Sequence, residues 1–99
     1  MASSILQTRK ECWFCGGRVG LEEHHIFAGM ANRRISEKYG LKVWLCHDHH
    51  TGKDGAQYNT DLGNQLKEEA QKKFEALYSH DMWMRLIRKN YLSEGKDNV

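Results

Sequence analysis

The residues able to do chemistry crowd into the first half of this 99-residue chain. Cys12-Trp13-Phe14-Cys15 is a CxxC knuckle followed by Gly16-Gly17, and Cys46-His47-Asp48-His49 is a CxxH knuckle. Two thiolates presented from a tight turn, with a Cys and a His one helical turn apart on a distant segment, form the donor set of a closed tetrahedral Cys3His zinc site. The competing reading is a redox CxxC with Cys46 as a separate buried thiol; the second knuckle and its spacing fit zinc better. A second cluster lies in Leu21-Glu22-Glu23-His24-His25-Ile26-Phe27, which sets two acids and two imidazoles in a row. A strand sends neighbouring side chains to opposite faces, so the pair is either one buried and one exposed histidine or two residues with different tasks at one site. His50 directly follows the zinc-binding His49, which should turn it toward the strand end carrying His24 and His25. A second, open metal site is expected there.

The elements that must position these groups follow from periodicity. Short apolar segments at Val19–Leu21 and Val43–Leu45 read as strands, and Ala31–Tyr39 as a short helix ended by Gly40. From about residue 60, with Thr60 or Asp61 as cap, Leu62, Leu66, Ala70, Phe74 and Leu77 form one helical stripe. A further helix is expected over Asp81–Lys89, its apolar face drawn either from Met82, Leu86 and Ile87 or from Trp83, Ile87 and Tyr91. His50 should fall at the start of a helix. The chain thus reads as one α+β domain over residues 1–99, with a zinc-stapled core at 10–59 and a helical extension at 60–92.

Composition agrees. At 39% hydrophobic and 28% charged, the chain buries only a modest core, so a structural metal adds folding free energy where it is most needed. Three cysteines in the reducing compartment expected below argue against a disulfide framework, and the odd count strengthens that view. The net charge of +2 permits nucleic-acid binding without implying it. No apolar run suits a membrane span or signal peptide, so no membrane partner and a cytoplasmic location are expected.

Together, CWFCGG, LEEHHI and VWLCHDHHTG resemble the ββα-metal fold (His-Me finger) of HNH endonucleases, in the small zinc-stapled form common in bacteriophages. In that family a CxxC knuckle precedes a strand ending in Asp-His or His-His, and a second strand runs into Leu-Cys-x-x-Cys-His. The resemblance covers roughly residues 11 to 58. It implies a phosphodiester hydrolase acting on DNA, in the host cytoplasm if phage-encoded. In that scheme His25 is the general base, His24 and His50 hold a catalytic divalent ion, and Cys12, Cys15, Cys46 and His49 hold structural zinc. The chain departs from the family twice. Gly40-Leu41-Lys42 stands where the family has an Asn that helps to orient the base, and Gln57 or Asn59 stands where many members add a late His, which makes Gln57 a weak ligand.

The residue types suit hydrolysis. His24 can hold a metal beside the leaving oxygen while His25 faces the attacking water, and a neutral imidazole of ordinary pKa about 6.5 is a suitable base. Mg2+, Mn2+, Ni2+ or Zn2+ would each fit an open site of two imidazoles and waters, with imidazole favouring the transition metals. Arg33 and Arg34, with Lys42 and Lys53 as weaker candidates, are expected phosphate contacts; a solvated helix face is the plain alternative for the arginines. Glu22 and Glu23 are expected as solvated strand residues, although Glu23 could orient His24 or His25. His47 is expected as an exposed knuckle residue and His80 as a helix-terminus residue. A homodimer through the C-terminal helices stays open. So do two rival readings: a catalytically inactive zinc-stapled DNA-binding or scaffolding module, and a purely structural zinc-finger interaction protein.

Overall fold

A computed structural model of the chain describes residues 4–27, 29–52, 55–56 and 60–92, with Thr60 described by its backbone alone. Lys53, Gln57 and Asn59, named above as phosphate contact and weak ligands, lie outside the described residues. The element order is β1 (Leu21–His25), α1 (Met30–Tyr39), β2 (Lys42–Cys46), α2 (His47–His50), α3 (Thr60–Leu77) and α4 (His80–Leu86). The fold is small α+β, with one two-stranded antiparallel sheet.

β1 begins later than its apolar residues suggest. Val19 is 89% exposed, and the strand itself is the polar Leu-Glu-Glu-His-His. Its partner explains this. β1 pairs with β2 in the register Leu21↔Cys46 through His25↔Lys42, and Val43 and Leu45 on β2 are buried, so β2 supplies the sheet's apolar anchor. The period of two then sorts β1 by face: Glu22 and His24 share one side, Glu23 and His25 the other.

α1 runs from Met30 to Tyr39 and stops at Gly40, whose φ of 71° lets its N–H return to the Ser36 carbonyl. Ser36, fully buried, ties α1 to the end of β1: its hydroxyl donates to the Phe27 carbonyl at 3.1 Å and accepts from the Phe27 N–H at 3.2 Å. Leu66, Ala70 and Phe74 are fully buried on α3, as their spacing predicts, whereas Leu77 in the last turn is 62% exposed. Of the two faces considered for α4, the Trp83 face is the buried one; Ser79 caps the helix by accepting from the Met82 N–H. Trp83 meets Phe27 at 5.4 Å and Phe74 at 5.5 Å between ring centres, and donates its Nε1–H to the Lys89 carbonyl. The helices therefore brace the exit of β1, just beyond the two histidines.

α2 differs from expectation. It is a single four-residue turn, and His50 is its last residue rather than the start of a helix. Among the described residues, no helix is long and apolar enough to cross a membrane.

Candidate metal centre

The first knuckle closes on itself: the Cys12 N–H donates to the Gly17 carbonyl and the Gly16 N–H to the Cys12 carbonyl, both at 2.8 Å. Gly16 sits at φ 75°, a conformation that glycine adopts without cost in so tight a turn. Trp13 then donates its N–H to the Trp44 carbonyl at 2.9 Å, docking the knuckle beside β2. From the other side, Cys46 ends β2 and caps α2, which turns His49 back toward the thiols.

The four donors converge. Cys12 Sγ lies 3.5 Å and Cys46 Sγ 3.2 Å from His49 Nδ1, and Cys15 Sγ lies 3.9 Å from Cys46 Sγ. All four donor atoms stand within 4.8 Å of one another. A tetrahedral zinc with bonds of about 2.3 Å to sulfur and about 2.0 Å to nitrogen would set its donors about 3.8 Å apart for S···S and about 3.5 Å for S···N. The residues fit a metal such as zinc through His49 Nδ1. The redox reading fits poorly, because a third thiol and an imidazole join the CxxC pair. Burial pushes the Cys12 thiol up, but the backbone groups of Cys46, Cys15 and Phe14 outweigh it and bring Cys12 down to about 6. The His49 backbone favours the Cys46 thiolate, yet burial and the neighbouring Cys12 and Cys15 sulfurs leave Cys46 raised. Crowded thiolates oppose one another's ionisation, an opposition that a divalent cation relieves.

On the Glu22 face of the sheet, His24 and His50 stand edge to face with ring centres 5.1 Å apart. Two imidazoles sharing one ion at about 2.1 Å, at an angle of roughly 100°, would place their ring centres about 5 Å apart. Burial first, and then the charges of His50, His25 and Lys67, lowers His24 to about 4, so its ring is neutral near pH 7 and has a lone pair to offer. Glu22 is not merely solvated. Its carboxylate takes His50 Nδ1 at 2.7 Å and His47 Nδ1 at 3.2 Å, and these two contacts, His50 first, hold it below the usual carboxylate range. A carboxylate on Nδ1 leaves His50 Nε2 as the nitrogen available to a metal. For a divalent ion held between His24 and His50, replacing Glu22 with Ala should weaken binding by about 10–100-fold. Isothermal titration with Ni2+ on the zinc-loaded protein measures this, and zinc content should not change.

On the opposite face, His25 Nε2 meets Glu37 Oε2 of α1 at 2.7 Å. Lys42, expected to contact phosphate, is instead only 5% exposed; its ammonium bonds Glu37 at 2.9 Å and Glu23 at 3.3 Å. Its place in the β2 register, directly across from His25, turns it inward and removes it from the free cations. Arg33 and Arg34 are exposed on α1, one turn before Glu37.

No known protein family, curated protein or solved structure matches the chain. Glu22 had a signal in the sequence, since residues two apart on a strand share a face and Glu22 precedes His24 by two. Glu37 had none, because only the folding of α1 against β1 brings it to His25.

Gly55 sits close against the backbone of α2. A Cβ added at Gly55 would stand 2.6 Å from the His50 carbonyl oxygen and 3.0 Å from that of Asp48. Gly55→Ala should destabilise the protein by about 1–3 kcal/mol, read by urea unfolding.

Proposed function

We propose that the chain is a zinc-stapled, metal-dependent DNA endonuclease of the HNH kind, with β1, β2 and α2 as its ββα-metal core. The observation that carries this reading is the His24–His50 pair, two imidazoles from separate elements set edge to face, His50 backed by a carboxylate and directly following His49 of the Cys3His cluster. A closed zinc cluster alone needs no such pair. When bound between His24 and His50, a divalent ion would stabilise the charge that develops on the leaving oxygen.

The chain's own residues do the rest. His24 and His50 fix the place of the leaving group, with Glu22 holding the His50 ring. His25, last in β1 and on the other face, takes the proton from the water that attacks phosphorus. As the new O–P bond forms, the scissile P–O bond breaks and the departing oxygen collects a proton from solvent, leaving one phosphate end and one hydroxyl end. Arg33 and Arg34 supply phosphate contacts that orient the backbone without reading sequence. Native mass spectrometry with added Mn2+ or Ni2+ tests the metal part. One zinc plus one further ion per chain is expected, the second lost in His24→Ala and His50→Ala; one ion per chain in every protein would refute it.

One observation favours a non-catalytic DNA-binding or scaffolding module: the His25 side chain is only 15% exposed and paired with Glu37. Such a module binds DNA and zinc and shows no metal-dependent cleavage.

A further inference from the structure

A histidine serves as a base only if one chosen ring nitrogen carries the lone pair, and that choice is set by the partner of the other nitrogen. In this chain that partner comes from α1. We infer that Glu37 is the positioning residue of His25, accepting the Nε2–H and leaving the Nδ1 lone pair to take the water's proton, with Lys42 pinning the carboxylate from its other oxygen. The inference rests on the reading of His25 as the base.

Three observations support it. First, the carboxylate is bound at both oxygens: Oε2 meets His25 Nε2 at 2.7 Å and Oε1 meets Lys42 Nζ at 2.9 Å, so it can neither rotate away nor swap partners without breaking a charged contact. Second, His25 and Lys42 together, His25 first, hold Glu37 below the usual carboxylate range, which keeps it an acceptor only. An acceptor at Nε2 means that Nε2 carries the hydrogen. Third, Lys42 is a buried ammonium, and sheet register places it across from His25. Burial works against its charge, but the contacts to Glu37 and Glu23 prevail and it stays protonated.

The same groups could be taken for a metal site, since ligand atoms of Glu23, His25 and Glu37 lie within 4.8 Å of one another. Lys42 decides against this. Its ammonium already bonds both carboxylates, so the cation of this cluster is part of the chain. Glu37 thus replaces the Asn that the HNH resemblance leads one to expect.

The test uses the full zinc-loaded chain as wild type, Glu37→Ala and Glu37→Gln. Two readouts are followed: the His25 Nε2–H resonance in 1H–15N spectra, and Mn2+-supported nicking of supercoiled plasmid resolved into kcat and KM. Wild type should show a slowly exchanging Nε2–H signal. Glu37→Ala should lose the signal and about 10–100-fold in kcat, with KM and zinc content unchanged. Glu37→Gln keeps an acceptor oxygen and should retain the signal and recover part of kcat. An active wild type whose Glu37→Ala variant keeps its kcat or its Nε2–H signal overturns the inference. So does loss of zinc in both variants, which marks a structural role, or loss of one non-zinc ion per chain in Glu37→Gln, which marks a metal site. A wild type inactive with Mn2+ sinks the reading of His25 as base, and the catalytic role of Glu37 with it.

Discussion

His25→Ala should reduce metal-dependent DNA cleavage by about 10²–10⁴-fold while leaving zinc content, fold and DNA affinity in place. The magnitude is that of removing a general base from a site whose electrostatic stabilisation is intact. The separation of effects comes from the architecture. His25 lies on the face of β1 opposite His24, so its loss leaves the His24–His50 pair and its Glu22 support untouched. It does leave Glu37 without its imidazole partner, but Glu37 still bonds Lys42 at 2.9 Å, and Glu23 remains 3.3 Å from Lys42. The structural cost should therefore stay near that of one lost charge-assisted hydrogen bond, which thermal unfolding would register as a modest shift. Cleavage kinetics with metal content measured on the same sample check both halves. Unaltered cleavage, or loss of cleavage together with the zinc, contradicts the assignment.

Cys46→Ser should unfold the chain outright. Structural zinc in small domains contributes roughly 10–16 kcal/mol, as much as or more than the total of about 5–15 kcal/mol that holds a typical domain folded. Here the metal has little competition. The apolar core is modest, and Cys46 is at once a member of the Cys3His cluster that could hold zinc, the last residue of β2 and the N-cap position of α2, so its loss frees the second knuckle and with it His50. Wild type treated with a strong chelator should behave the same way. Far-UV circular dichroism and denaturant titration are the measurements: wild type unfolds cooperatively and holds one zinc, whereas the variant shows no cooperative transition. A variant that still unfolds cooperatively with less than about 2 kcal/mol lost would mean that the aromatic cluster of Phe27, Phe74 and Trp83, not the metal, holds the fold.

The two knuckles were legible in the sequence because ligand spacing is local: CxxC and CxxH each carry their geometry within four residues. The helices of residues 30–39 and 60–77 were legible for the same reason, the terminating Gly40 of the first and the apolar stripe of the second being local signals. The far end of β1 was legible too, since His24 and His25 were expected at a strand end with Glu22 and Glu23 before them, but its start was not. The apolar Val19 suggests an earlier start, yet pairing with Lys42–Cys46 begins only at Leu21, and pairing is a long-range choice. The carboxylate partners of the two histidines divide along the same line. Glu22 shares a strand face with His24 and could be anticipated, whereas Glu37 reaches His25 only because Ser36 clamps α1 to the strand exit. Lys42 misled for a related reason: a lysine in sequence reads as a free cation until its register partner is known.

Cleavage of supercoiled plasmid by the zinc-loaded protein across Mg2+, Mn2+, Ni2+ and added Zn2+ tests the central claim most directly. Conversion to nicked or linear DNA that requires one of these ions, and that disappears in His24→Ala, His25→Ala and His50→Ala, is the predicted result. Intact supercoiled plasmid with every ion, from a protein that binds DNA and retains its zinc, would contradict it and leave a zinc-stapled binding module.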